Sequence, residues 1–334
     1  MSDPEKKADS RIGLDVGTSR IVLARRVERE IEFRAHLNAF VRIPFSRMTE
    51  SVFKKEAIPY AVDGDEIVVY GNDAEKFANI FHVETRRPMA KGVLNPNEPS
   101  GPAVIREIVG ILAGRTAKPG QKLCVSLPGP PLDTGEDLKY HETVVEQTAA
   151  DIGFTVTTIN EGLAVVYSDL AESNYTGIGV SCGGGMCNVC LAYLSVPVVA
   201  FSISQAGDFV DASAAAAAGE VATRIRLFKE QDFQFNGTPG NKIQYALTVY
   251  YDEMIQNLVE AMTRAFSDTR ALPKLDRPVP LVLSGGSVLA KGFLERFDKT
   301  LKASGFPVPI SEVTLASDPL NSTAKGALVS ALSE

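Results

Sequence analysis

The chain of 334 residues has no tryptophan, three histidines and four cysteines. His36, His82 and His141 lie far apart and away from the cysteines, so neither a nucleophile–histidine pair nor a histidine metal cage is suggested. Cys182, Cys187 and Cys190 crowd one short segment, with Cys124 alone. That is not the spread of a disulfide framework, and it points to a reducing, cytoplasmic setting. Basic runs are also missing. Asp and Glu number 41 against 34 Lys and Arg, a formal net charge of −7, and a surface of that sign repels polyanions, so no nucleic-acid partner is expected. Residues 1–11 lack the apolar stretch of a signal peptide and the apolar face of a membrane anchor; residues 1–10 are expected to form a disordered tail. Residues 173–207 carry no charge, yet Gly183-Gly184-Gly185, Asn188 and Pro197 interrupt them, so they read as buried strands and turns and not as an integral membrane segment.

What is present is a duplication. Residues 12–24 read IGLDVGTSRIVLA and residues 178–190 read IGVSCGGGMCNVC. Each begins with an apolar strand, turns through a glycine-containing loop and continues as a second apolar strand. Gly17 falls opposite Gly183, and Asp15 opposite Ser181. Glycine loops can turn successive backbone N–H groups inward to form an anion site. Either loop alone is an ordinary hairpin turn; the matched pair favours two related halves gripping a polyphosphate from both sides. With 45% hydrophobic residues the chain is long enough for two such cores.

Elsewhere the pattern is mixed α/β. Residues 31–43, 122–127, 154–159 and 280–283 read as strands. Val104, Ile105, Ile108, Val109, Ile111 and Leu112 form a helical stripe. Further helices are expected over 141–152, from Glu161 to Ala171, over 212–228 and over 247–266, with a turn-rich loop at 236–241. A last stripe, Leu289, Phe293, Phe297 and Leu301, ends at Gly305. Cys187-x-x-Cys190 superficially suggests zinc or redox chemistry, but residues three apart on a strand face opposite ways, which favours buried structural thiols.

Five segments in this order resemble the actin, heat-shock chaperone and sugar kinase superfamily: LDVGTS (14–19), INEGLAVVY (159–167), VSCGGGMCNV (180–189), LVLSGGSVLAKGF (281–293) and NSTAKGALVSAL (321–332). RPMAKGV (87–93) and AGDFVD (206–211) narrow the resemblance to bacterial actin-like ATPases of the MreB type. The resemblance implies an α/β actin-like ATPase fold of two lobes around a nucleotide cleft. Lobe I would comprise 11–160 plus 318–334, with an outer subdomain at about 45–92. Lobe II would comprise 161–317, with a reduced outer subdomain at about 212–246. It further implies ATP/ADP and Mg²⁺ as cofactors, and the chain itself as partner in a filament.

Carried over position by position, the resemblance gives Asp15 the Mg²⁺, held through water. Gly17, Thr18 and Ser19 take the phosphates from one side, and Gly183, Gly184 and Gly185 from the other. Glu161 positions the attacking water. Gly285, Gly286 and Ser287 pack on the adenosine, with Gly207 near the ribose or phosphates and the basic Arg226 near the ribose and base. Two departures matter: residues 212–246 are short where the MreB type has a fuller outer subdomain, and relatives commonly carry DIGGGTTEV at the second loop, so their aspartate is Ser181 here, a possible water-mediated metal contact without charge. Slow ATP hydrolysis with filament formation is the function this implies. A non-polymerising nucleotide-binding adaptor is the alternative, and a small-metabolite kinase a more distant one.

Overall fold

The computed structural model describes residues 8–333 apart from 115–116, 118–119, 134–137, 236, 268–274 and 276. Apolar residues alternate along the first unit, and β1 (Ala8–Val16), β2 (Arg20–Val27) and β3 (Glu30–Leu37) form an antiparallel meander. An excursion follows. β4 (Phe40–Pro44), α1 (Arg47–Lys55), β5 (Tyr60–Asp63), β6 (Glu66–Tyr70) and α2 (Asn72–Phe81) enclose a small core of Val41, Ile43, Phe53, Ile67, Val69 and Phe77. A ribbon, β7 (Met89–Ala90) with β8 (Val93–Leu94), leads to α3 (Gly101–Ala113), β9 (Lys122–Leu127), α4 (Lys139–Ile152) and β10 (Thr155–Asn160). β9 pairs parallel with β1 and β10 parallel with β9, giving the order β10-β9-β1-β2-β3.

The second lobe repeats that plan. The chain crosses through α5 (Glu161–Asp169) into a second meander, β11 (Gly177–Cys182), β12 (Cys187–Tyr193) and β13 (Val196–Ile203). Here the excursion is helical: α6 (Gly207–Ala218), α7 (Ala222–Gln231) and α8 (Lys242–Ser267). β14 (Val279–Ser284) pairs parallel with β11. After a 3₁₀ turn (Gly286–Leu289) and α9 (Phe293–Ala303), β15 (Ile310–Leu315) pairs parallel with β14. The order β13-β12-β11-β14-β15 matches the first sheet strand for strand. α10 (Ser322–Ser333) then returns to pack on β1 and α5. The two-lobed α/β architecture is the one expected.

Small residues set the approach of the lobes. A Cβ on Gly326 of α10 would lie 1.8 Å from the Ala164 carbonyl of α5, and one on Gly13 would lie 2.2 Å from the Ala324 carbonyl. The crossing helices therefore meet backbone to backbone, and any side chain there would wedge them apart. All four cysteines are free and buried. Cys187 joins the core of the second lobe, while Cys190 faces the layer between lobes, as opposite faces of one strand require.

Four local expectations are corrected. Residues 31–43 are two strands in different sheets, because Asn38 ties back to the first loop: its amide N donates to the Ser19 carbonyl (3.0 Å) and its side-chain Nδ2 to the Gly17 carbonyl (2.9 Å). Residues 212–228 are two helices, divided at Gly219, whose left-handed φ of 65° caps α6. Leu289 sits in the 3₁₀ turn, 47% exposed, and α9 begins only after Gly292. Of the expected tail, residues 1–7 lie outside the described residues, and 8–10 already extend β1, with Ala8 opposite Val27. Residue 236 of the expected loop is also outside them. Among the described residues no helix is long and apolar enough to cross a membrane.

Candidate functional site

Matched strand ends build the site. In the first lobe β1 reaches its turn with Asp15 level with Ser126 of β9; in the second, Ser181 is level with Ser284 of β14. Both carboxyl ends open on one cleft between the lobes, a cavity of about 560 Å³. It is lined by Asp15, Gly17, Thr18, Ser19, Glu161, Ser181, Gly183, Gly184, Gly185, Gly207, Arg226, Gly285, Gly286 and Ser287. The structure thus brings every sequence-derived candidate to the same cavity.

The two turns are built alike. Gly17 N donates to the Arg20 carbonyl, and Gly183 N to the Met186 carbonyl, each at 3.0 Å. Among the described residues, the amides of Gly184 and Gly185 at the tip of the second turn donate to no protein acceptor. Two carbonyls of that turn are engaged. Gly183 O accepts from Ser287 Oγ (2.9 Å) and Gly207 N (3.1 Å), and Gly184 O accepts from Asp208 N (2.7 Å). Fixing the carbonyls outward leaves the amides as the available donors, as an anion site requires.

Two half-buried acids face the cavity. Asp15 Oδ1 accepts from Ser126 Oγ (2.8 Å), and burial raises its pKa to about 6. Glu161 begins α5, where the Asn160 side chain caps the helix by accepting from Gly162 N and Leu163 N. Its Oε2 accepts from Ser181 Oγ (3.3 Å) and from Asn188 Nδ2 (2.9 Å). Burial, and then the charge of Asp15, raise Glu161 to about 8. Two carboxylates disfavoured as anions in one pocket suit a site that takes up positive charge. Among the described residues no group of three or more His, Cys, Asp or Glu could cage a metal alone. A Mg²⁺ that keeps its waters and leans on phosphate oxygens needs no such cage.

Several cavity residues escaped sequence reading. Asn188 breaks the apolar run of β12, a signal that was visible. Lys229 is one helical turn beyond Arg226; it pairs with Asp211 at 2.7 Å and donates to the Gly207 carbonyl at 3.3 Å. Arg226 lines the cavity, but its guanidinium meets Glu75 of α2 at 2.7 Å, across the cleft mouth. Arg87 meets Asp208 across the same cleft at 3.1 Å. Thr18 Oγ1 accepts from Gly92 N of the first lobe's ribbon (3.1 Å). Leu227, Phe233, Tyr251, Leu289 and Leu320 also line the cavity.

Residues 11–331 match the volactin family. No curated protein matches the chain by sequence. Among solved structures, a MamK double helical filament is similar at TM-score 0.71 and 18% identity, over 95% of this chain and 97% of that one. MreB5 of Spiroplasma citri bound to AMPPNP is similar at TM-score 0.66 and 14% identity, over 97% and 95%. The ethanolamine utilization protein EutJ from Carboxydothermus hydrogenoformans follows at TM-score 0.56 and 15% identity, over 98% and 91%. At such identities the likeness is one of fold.

Proposed function

This chain belongs to the volactin family and has the actin-like ATPase fold, and we propose that it binds Mg-ATP in the cleft, hydrolyses it slowly and assembles with copies of itself into cytoplasmic filaments. The observation that carries the reading is the convergence of both glycine turns and both acids, Asp15 and Glu161, on one cavity. In this reading the turn amides and the hydroxyls of Thr18 and Ser19 take the polyphosphate. Asp15 holds the hydrated cation, whose charge would favour ionised Asp15 and Glu161. Gly285, Gly286 and Ser287 let the nucleoside approach the backbone. Glu161 orients the attacking water; both of its bonds fall on Oε2, which leaves Oε1 to accept from it. Phosphoryl transfer asks mainly for positioning and charge neutralisation. The second loop offers neutral Ser181 and no acid, which supports slow turnover.

The test pairs calorimetry of ATP with and without Mg²⁺ with sedimentation and electron microscopy of the purified protein. Mg-dependent binding and ATP-dependent filaments are expected. Glu161→Gln should lower hydrolysis roughly a hundredfold or more while ATP remains bound. Binding without assembly across a wide concentration range would favour the adaptor reading, which the missing second acid at Ser181 also suits. Absence of binding would overturn both.

A further inference from the structure

Glu161 is held by a side chain that belongs to the second lobe and is itself fixed by the first. Asn188 is 1% exposed and stands opposite Ser181 in the β11–β12 ladder. Its Oδ1 accepts from the Gly129 amide (2.8 Å), and its Nδ2 donates to Glu161 Oε2 (2.9 Å). A carboxamide has one accepting end and one donating end. Because the Gly129 N–H claims the accepting end, the donating end must meet the glutamate.

Gly129 lies just beyond β9, in the first lobe, and its segment is fastened to the edge of the second. Ser202 Oγ donates to the Gly129 carbonyl (2.7 Å), Ser202 N to the Pro130 carbonyl (2.9 Å) and Leu132 N to the Ser202 carbonyl (2.9 Å). Asp133 Oδ2 accepts from both N and Oγ of Ser204, each at 2.7 Å. There is no slack at the centre: a Cβ on Gly129 would fall 2.9 Å from the Phe201 carbonyl carbon and 3.0 Å from Asn160 Nδ2. A rotation of one lobe against the other must strain this strap, and the strap sets the amide that sets the glutamate.

We propose that Asn188 is a positioning residue that aims Glu161 for water activation, and that docking of residues 129–133 on β13 sets that aim. The inference rests on the nucleotide reading above. It makes hydrolysis sensitive to lobe rotation without any new contact to the nucleotide.

The test is a double-mutant cycle. Asn188→Asp keeps the shape and the acceptor for Gly129 but, assayed above about pH 8 where both acids are ionised, replaces the donated hydrogen bond by repulsion of Glu161. Mg-ATP affinity should stay within about threefold, while single-turnover phosphate release falls roughly tenfold or more, as for a misplaced reacting group. In a Glu161→Gln background the same substitution should change the residual rate less than about twofold, because a residue that acts through Glu161 has nothing left to act on. If Asn188→Asp fails to fold, Ser202→Ala loosens the strap more gently. A loss of roughly threefold, again vanishing in Glu161→Gln, is then expected. Parent-like release by Asn188→Asp, or losses that multiply with Glu161→Gln, would overturn the inference while the nucleotide reading stands. A parent protein that binds ATP and never releases phosphate would overturn the hydrolysis reading and the inference together.

Discussion

Gly17 and Gly183 each donate to the carbonyl three residues on, and each turn sits at the end of a central strand flanked by one antiparallel and one parallel neighbour. What the two turns carry is different. The first has an acid and two hydroxyls, Asp15, Thr18 and Ser19. The second has Ser181 and three glycines. A duplicated scaffold thus carries polar side chains on one wall and bare backbone on the other. The second wall can be bare because it lies against the first. A Cβ on Gly185 would fall 2.1 Å from Gly92 N and 2.3 Å from Thr18 Oγ1, whereas one on Gly183 would meet nothing nearer than the Met186 carbonyl at 3.4 Å.

Breaking that contact should produce the largest effect. Gly185→Ala forces a methyl into the backbone of the other lobe and should cost the closed cleft about 3 kcal/mol, at the upper end of overpacking costs. ATP affinity would then fall roughly a hundredfold by calorimetry. Gly183→Ala should stay near the parent value, and equal losses at the two positions would undo the account of the bare wall. Next is the acid. Asp15→Ala should remove about 1.5–3 kcal/mol of Mg-dependent ATP affinity, the worth of a charge-assisted contact. Ser181→Ala, which removes only a hydroxyl, should change it by less than about threefold. Titrations with and without Mg²⁺ separate the two, and matching losses would mean that the second wall still takes part in holding the cation.

The two walls also explain what could be read in advance. The duplicated strand–turn–strand pattern exposes its own periodicity, so the central hairpin of each sheet and the glycines of both turns were legible, whereas Gly207, Gly285 and Gly286 came from the family resemblance and neither β15 nor the cavity-lining Gly92 was picked out. Local breaks were less so. Asn38 divides β3 from β4 through bonds to residues about twenty positions earlier in the chain, and nothing within 31–43 announces them. Gly219 could have been read as the end of α6, but the run of alanines and the favourable residues beyond it argue for a continuous helix. Asn188 was visible as a polar residue in an apolar strand, yet its roles depend on Gly129, some sixty residues away, and on Glu161. Ion pairs across the cleft, such as Arg226 with Glu75, depend on how the lobes close, and no local pattern encodes that.

The acids of the first wall and the crossover should also leave a mark on stability. Glu161, raised to about 8 from its ordinary 4.5, and Asp15, raised to about 6 from 3.8, hold protons in the folded nucleotide-free protein that the unfolded chain has released. Where the folded state binds more protons, stability falls as pH rises. Their contribution is full below the unfolded values and is lost on approaching pH 8. The melting temperature of nucleotide-free protein should therefore drop by a few degrees between about pH 5 and about pH 8. Glu161→Gln should flatten most of that slope, because a neutral amide neither takes up nor releases a proton; a slope unchanged in the variant would assign the protons elsewhere. Ser181 does not titrate in this range, so the second wall should add nothing.

The smallest effect belongs to the rim, and it decides what Arg226 does. Sequence reading sets this arginine near the ribose, whereas the structure pairs it with Glu75 of the opposite lobe at 2.7 Å, with side chains 23% and 40% exposed. A pair that open to water is worth about 1 kcal/mol or less. If the arginine serves only to latch the mouth of the cleft, Glu75→Gln and Arg226→Gln remove the same interaction. Both should then speed release of a fluorescent ATP analogue by less than about fivefold, and both effects should shrink as salt screens the pair in the parent. If Arg226 instead turns to the nucleotide when it binds, the two substitutions part company. Arg226→Gln would then lower ATP affinity beyond anything Glu75→Gln does, and Glu75→Gln would raise it slightly by freeing the guanidinium. Stopped-flow release rates for the two variants, compared at low and high salt, therefore separate a latch from a ligand contact.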